Sequence, residues 1–206
     1  NGVIHLVGDE PRLLFPDLLQ NANTLALDGH KLVWVGTSAG LFELSELETP
    51  YPKIKQVNTN LPLQQVISIH IDSQQLIWVG TLNDGLFLHN LSSDWIMTIG
   101  TQGQNVLSTL GKSITAIALG EDNQLWQGSS QGAARLDWSL HKSFPFPVGE
   151  AHSGMKSAVA AMYRDLEGTI WAGYRNGSLA YFDERQDKFV AVIPELKVLI
   201  TSIVEL

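Results

Sequence analysis

Tryptophan and glycine recur together four times at nearly constant spacing, and this repeat restricts the fold more than any other feature of the chain. Each copy reads Trp-x-Gly, and a second glycine follows four or five residues after the first. Successive tryptophans are 44, 48 and 45 residues apart. A period of roughly 40–50 residues indicates one supersecondary unit stacked several times. The copies are Trp34/Gly36, Trp78/Gly80, Trp126/Gly128 and Trp171/Gly173, followed by Gly40, Gly85, Gly132 and Gly177.

Four short strands are predicted in each repeat. An apolar run such as Val66–Ile71 precedes each tryptophan and ends in a polar turn such as Asp72-Ser73. The tryptophan strand follows, and then a turn whose glycine supplies a positive φ at little steric cost. Two further apolar runs complete the unit. The first run of a repeat is nearly continuous, as in Ala158–Ala161, which is typical of a strand covered on both faces.

We therefore predict an all-β fold built from β-propeller blades, each a four-stranded antiparallel sheet. About four blades are complete, and partial blades lie at both ends. The whole chain, 1–206, is expected to be a single domain. The predicted blade limits are 1–22 (partial), 23–60, 61–108, 109–150, 151–197 and 198–206 (first strand only).

Two of the repeats resemble a known family closely. Lys31–Phe42 reads KLVWVGTSAGLF, and Gln75–Phe87 reads QLIWVGTLNDGLF. Both are similar to the two-component regulator propeller repeat. The third and fourth repeats depart from that pattern, because the threonine and the leucine of the pattern are replaced by Ser129 and Tyr174 and by Ala133 and Ser178.

The resemblance implies a seven-bladed propeller in the extracytoplasmic, periplasmic input region of a membrane-anchored bacterial signalling protein. Hybrid histidine kinases and diguanylate cyclases are the implied output types, and some members respond to carbohydrates. Seven blades of the usual length need roughly 300 residues, so the chain is expected to be an incomplete, open arc. Its uncovered end faces are expected to drive homo-oligomerisation.

Composition excludes several classes of partner and site. Thirteen lysines and arginines against 21 acidic residues give a net charge of −8, which argues against a nucleic-acid partner. Cysteine is absent, so disulfides, thiolate metal sites and cysteine nucleophiles are excluded. No stretch approaches the ~20 apolar residues of a membrane helix, so no membrane segment is predicted within this chain.

No catalytic, metal or cofactor site is predicted. The six histidines form no HExxH or HxH pattern, and neither a nucleophile elbow nor a phosphate-binding loop occurs. The four repeat tryptophans and their glycines are predicted to be structural. Each indole is expected to wedge between adjacent blades and to donate its N–H to a backbone acceptor.

A ligand site is predicted from position alone. The connections between blades and the glycine turns should gather on one face of a propeller, where loops on a rigid scaffold often carry function. A small molecule or an oligosaccharide is the expected ligand. The candidate binding residues are Asn60, Gln64, Asn83, Gln104, Lys112, His152, Lys156 and Arg175.

Three functions remain open at this point. The first is a ligand-sensing or ligand-binding module of a signalling protein. The second is a propeller enzyme similar to streptogramin lyases or to polysaccharide lyases and hydrolases, with His152 or His70 as the candidate base. The third is a protein-interaction scaffold. The lack of catalytic motifs favours the sensor over the enzyme.

Overall fold

A computed structural model describes most of the chain, and its regular structure is entirely β-strand. No helix occurs among the described residues. Eighteen strands are present in the described part of the chain. The described residues are 2–7, 9–29, 31–57, 65–90, 95–99, 110–121, 124–137, 142–151, 153–155, 157–193 and 198–205.

The strands form one hairpin and four antiparallel sheets of four strands each. The hairpin consists of β1 (Val3–Val7) and β2 (Glu10–Leu14). We number the sheets as blades one to four in chain order. Their strands are β3 (Ala22–Leu27), β4 (Val33–Thr37), β5 (Gly40–Ser45) and β6 (Lys53–Gln56); β7 (Val66–Ile71), β8 (Leu76–Thr81), β9 (Leu86–Asn90) and β10 (Trp95–Ile99); β11 (Ile114–Leu119), β12 (Gln124–Ser129), β13 (Gly132–Asp137) and β14 (Lys142–Pro147); and β15 (Val159–Arg164), β16 (Ile170–Tyr174), β17 (Leu179–Asp183) and β18 (Lys188–Ile193).

Each blade is a meander in which consecutive strands pair. The turn between the second and third strands contains a glycine at positive φ in every blade, as the sequence predicts. In the first three blades a hydroxyl at the end of the second strand also donates to the carbonyl of that glycine. The bonds run from Thr37 Oγ1 to Gly40 O at 3.1 Å, from Thr81 Oγ1 to Gly85 O at 2.9 Å and from Ser129 Oγ to Gly132 O at 3.2 Å.

The glycine in each of the first three Trp-x-Gly copies lies where two blades approach closely. These glycines do not have positive φ, so glycine is needed here because there is no room for a Cβ, and not because of the backbone conformation. A Cβ at Gly36 would lie 2.5 Å from Val66 Cγ1, and one at Gly128 would lie 2.5 Å from Val159 Cγ1. At Gly80 the nearest atom would be Ser68 Oγ. Side chains cannot approach this closely without displacement, so glycine is selected by the packing of the next blade.

The hydrophobic core lies mainly between consecutive blades. Trp34 packs with Val66 and Phe87 between blades one and two. Trp78 packs with residues of β11 and β12, and Trp126 packs with residues of β15 to β18. Three of the four repeat indoles therefore fill the spaces between sheets. The fourth, Trp171, is only half-buried.

The blades form an open row and do not close a ring. The first strands β3, β7, β11 and β15 pack side by side in that order. Residues 198–205 follow the fourth blade without regular strand pairing, although Ile200 Cγ2 would lie 2.5 Å from a Cβ at Gly173. At the other end, Leu25 and Leu27 of β3 are 55% and 68% exposed. The blade limits and the homo-oligomer remain predictions.

Candidate functional site

The glycine turns and the connections that enter the next blade lie on one face of the row. Backbone hydrogen bonds join them: Gln65 N donates to Ser38 O at 3.2 Å, Gly85 N to Lys112 O at 3.0 Å, and Arg175 N to Ala158 O at 3.0 Å. We call this the glycine-turn face. The turns between first and second strands lie at the opposite strand ends, and we call that side the aspartate-turn face.

Three of the eight predicted ligand residues fall in the described part of the chain. Asn83, Lys112 and Arg175 are all exposed on the glycine-turn face. Asn83 Nδ2 donates to Gln65 Oε1 at 2.8 Å, so one glycine turn is tied to the connection that enters its own blade. The other five lie outside the described residues: Asn60, Gln64, Gln104, His152 and Lys156. The predicted site therefore remains a prediction.

On the aspartate-turn face, an aspartate holds the indole N–H in three of the four blades. The indole was expected to donate to a backbone acceptor, and the structure shows a carboxylate instead. The aspartate lies six positions before the tryptophan each time, so the strand reversal brings carboxylate and indole together. Nε1 donates to Oδ2 at 3.4, 3.1 and 2.7 Å in the pairs Trp34–Asp28, Trp78–Asp72 and Trp171–Asp165.

The second oxygen of each carboxylate closes its own turn. Asp72 Oδ1 accepts from the backbone N–H of Gln74 and Leu76, at 2.8 and 2.9 Å. Asp165 makes the same kind of bond, and the pKa of its carboxyl is lowered chiefly by the hydrogen bond from Trp171. The carboxylate thus fixes both the turn and the indole.

The third blade departs from this arrangement, because Gly120 occupies the aspartate position. The backbone is unchanged: Gly120 N donates to Gln124 O at 3.0 Å, as Asp72 N donates to Leu76 O at 3.0 Å. Trp126 is only 2% exposed. In the portion of the chain that the structure describes, no residue accepts from its indole N–H.

A polar pocket of about 320 Å³ opens at this place, between blades three and four. We call it the blade 3–4 pocket. Phe182 and Arg135 form part of its wall, together with Trp126 and Gly120. The remaining lining residues are Glu121, Gln124, Glu167, Gly168, Thr169, Ile170 and Glu184.

Arg135 is held against this wall by aromatic rings. It lies opposite Trp126 in the register of β12 and β13. Its Cζ is 4.7 Å from the ring centre of Phe144, 5.6 Å from that of Trp126 and 5.7 Å from that of Phe182. Its Nη2 lies 3.8 Å from Asp187 Oδ1, while its buried Nε has no acceptor among the described residues. Cation–π contacts of this kind fix the guanidinium beside the pocket.

A second concavity, of about 410 Å³, lies along the first strands on the aspartate-turn side. His70 of β7 lines it with Tyr163 and Arg164 of β15. Burial lowers the pKa of His70 below its ordinary 6.5, and the nearby Asp72 partly opposes this effect. The folded chain therefore favours the neutral imidazole.

Acidification should consequently destabilise the fold through His70. Its pKa is lower in the folded chain than in the unfolded chain, so the unfolded chain takes up the proton first. The free energy of unfolding should fall as the pH drops from about 7 to about 5. Urea unfolding across that range should show a smaller fall for His70→Asn. If the free energy of unfolding depended on pH in the same way in both proteins, His70 would not be the cause of the fall.

No group of three or more histidine, aspartate or glutamate residues able to hold a metal ion occurs within the described ranges. In the same part of the chain, no helix has the length and apolar character needed to span a membrane.

The blade 3–4 pocket was missed in the sequence analysis, although a signal for it is present there. The aspartate six positions before each tryptophan recurs at Asp28, Asp72 and Asp165, and only the third repeat lacks it. Comparing that position across the repeats would have singled out Gly120.

Comparison with known proteins agrees with the repeat. The model of the family "Two component regulator propeller" matches residues 60–83, which include Trp78 and Gly80. No curated protein matches the chain.

Several solved structures share the fold. The extracellular domain of a protein named as a hybrid two component system of B. thetaiotaomicron has a TM-score of 0.66 and 18% identity, over 84% of this chain and 21% of that one. Catalytically inactive virginiamycin B lyase from Staphylococcus aureus with quinupristin has a TM-score of 0.69 and 13% identity, over 95% and 64%. U3-55K has a TM-score of 0.58 and 12% identity, over 83% and 51%.

These identities show a common fold and no more. This chain spans 21% of the length of the first of these structures. The match at residues 60–83 and the shared architecture together confirm the resemblance predicted from the repeats: the chain is an open β-propeller that carries the two-component regulator propeller repeat.

Proposed function

We propose that the chain is a ligand-sensing propeller from the extracytoplasmic input region of a bacterial signalling protein. The observation that carries this proposal is the match to the regulator propeller repeat at residues 60–83. The similar fold of an extracellular domain from a hybrid two component system supports the extracytoplasmic location.

The architecture suits recognition at the joints between blades. Trp34, Trp78 and Trp126 fill the spaces between sheets, so the blades supply a rigid framework. Concave surfaces then arise where two blades meet, as at the blade 3–4 pocket. A ligand that contacts two blades favours one relative position of them, which is the physical requirement for passing a signal onward.

An enzymatic role is the second candidate, and the similarity to virginiamycin B lyase favours it. His70 supports it locally, since a neutral imidazole in the concave surface that Tyr163 also lines has the protonation state of a general base. The other histidine candidate, His152, lies outside the described residues. The sensor remains our proposal because the repeat match is to regulator propellers.

The two roles are separated by following both binding and turnover. The protein is screened by thermal unfolding against oligosaccharides and small metabolites, because a ligand that binds only the folded chain raises its stability. Each hit is then incubated with the protein and analysed by mass spectrometry. Recovery of the ligand unchanged supports the sensor, and its conversion to a product overturns it.

Removing the three cations of the predicted ligand site tests whether a ligand binds there. The change is Lys112→Ala, Lys156→Ala and Arg175→Ala together. We expect ligand affinity to fall by about tenfold, since exposed charge pairs contribute up to about 1 kcal/mol each. Lys55→Ala, on the outer strand of blade one, is the control. Titration calorimetry that gives equal affinities for the triple variant and the control would contradict this placement.

A further inference from the structure

Gly120 differs from its three counterparts by the loss of a carboxylate and by little else. Its φ is not positive, so the backbone does not require glycine there. A Cβ would lie 3.1 Å from Trp126 Nε1 and 3.0 Å from Gln124 Cβ, which are tight contacts that require shifts of only a few tenths of an ångström. The place that a carboxylate fills in the other blades therefore belongs to the blade 3–4 pocket.

Two donors are left without acceptors at this place. A Cβ at Gly120 would lie 3.1 Å from Trp126 Nε1, so this nitrogen borders the place that a carboxylate fills in the other blades, and no described residue accepts from its N–H. The Nε of Arg135 is also buried and without an acceptor among the described residues. A buried donor without an acceptor, such as Arg135 Nε, costs about 1–3 kcal/mol, and the guanidinium adds positive charge. A carboxylate satisfies both needs, because charge-assisted hydrogen bonds are the stronger kind.

The rim of the pocket has the opposite charge. Glu121 is neutralised by Arg164, whose Nη2 lies 3.1 Å from Glu121 Oε1. Glu167 and Glu184 are exposed, and no described cation pairs with either of them. A ligand that carried only a carboxylate would be repelled by these two acids, whereas a ligand with an additional ammonium group would be attracted to them.

We propose that the blade 3–4 pocket binds a small zwitterion of the free amino acid class, whose carboxylate takes the place of the aspartate that the third blade lacks. The carboxylate accepts from Trp126 and Arg135, and the ammonium faces Glu167 and Glu184. This inference rests on the proposed sensing function and names a ligand class for the blade 3–4 pocket, which is a site separate from the one predicted on the glycine-turn face.

The indole N–H of Trp126 reports binding directly. The chain has six tryptophans, so its indole region in a proton–nitrogen NMR spectrum is simple, and Trp126→Phe identifies the peak of interest. The probes are ω-amino acids from glycine to 6-aminohexanoate, each paired with the matching monocarboxylate and monoamine. We expect at least one amino acid to move this peak, at about threefold lower concentration than its matched carboxylate, while the amines leave it in place.

Gly120→Asp and Arg135→Gln test whether the ligand carboxylate occupies the position of the missing aspartate and binds Arg135. Gly120→Asp supplies the carboxylate from the chain itself, so it should abolish the response of the Trp126 peak. It should also unfold about 2–4 °C higher than Gly120→Ala, which has the same Cβ without the acid. Arg135→Gln should weaken binding by about fivefold or more, while Arg185→Gln, an exposed arginine outside the pocket, should not.

The outcomes are distinct. The proposal is overturned if no probe moves the Trp126 peak, if carboxylates act as well as their amino acids, or if Gly120→Asp still responds. A ligand from the thermal screen that moves other indole peaks and leaves Trp126 unchanged would overturn this inference and leave the sensing function intact. Should the screen and the probes both fail, the sensing function fails as well.

Discussion

Trp34→Ala should lower the free energy of unfolding by about 3–5 kcal/mol. Trp34 is completely buried in the cluster between blades one and two, where it packs with Leu41, Val66 and Phe87. Its ring also meets the edge of His89 at a centroid distance of 5.9 Å. Truncation leaves a cavity on both sides of the joint, and the rigid sheets cannot close it.

The matched control is Trp171→Ala. This indole occupies the same repeat position and also donates to an aspartate, but it is only half-buried. We expect a cost of about 1–2 kcal/mol, because less apolar area returns to water. Chemical denaturation measured by circular dichroism gives both values. Equal losses would show that the position in the repeat, rather than burial between blades, determines the contribution of the tryptophan.

Gly80→Ala should cost about 3 kcal/mol through overpacking. An added Cβ would lie 2.8 Å from the backbone oxygen of Ile114 in the next blade and still closer to Ser68 Oγ. Ser68 Oγ donates to that same oxygen at 2.8 Å. The new methyl group would therefore push two blades apart and break a hydrogen bond between them.

Gly29→Ala is the control for this substitution. Gly29 is exposed in the first aspartate turn, and a Cβ there would meet its nearest atom, in the side chain of Gln75, at 3.4 Å. That is an ordinary contact distance, so the change should be within about 0.5 kcal/mol of neutral. A large loss of stability in both variants would contradict the explanation that Gly80→Ala destabilises the chain because two blades pack closely at Gly80.

The fold could be predicted because every blade has the same packing and turn requirements, and the same residue types recur where these requirements apply. Tryptophan recurs where two sheets need a large filler, and glycine recurs two residues later where the next blade leaves no room for a Cβ, as at Gly36 and Gly128. The second glycine recurs where the turn needs positive φ, as at Gly85. The tryptophan and both glycines of each copy lie within eight residues of sequence, so the pattern is visible without coordinates.

The candidate pocket could not be predicted in the same way, because its parts come from two blades. Arg135 reaches it through the register of β12 and β13, and Phe182 and Glu184 reach it from the next blade. Neither placement follows from spacing. The local half of the signal, glycine in place of aspartate at residue 120, was present in the sequence but has meaning only once the indole–carboxylate bond is known.

The open row of blades has a consequence for the way in which the chain loses its structure. Each blade packs chiefly against the blade before it and the blade after it. The free energy of unfolding of the chain is therefore close to a sum of contributions from single blades and from the interfaces between neighbouring blades. Unfolding can then begin at either end and advance blade by blade, so that terminal blades unfold before central ones. A molecule seated between blades three and four would clamp the joint nearest the carboxyl-terminal end and leave the melting of blade one almost unchanged.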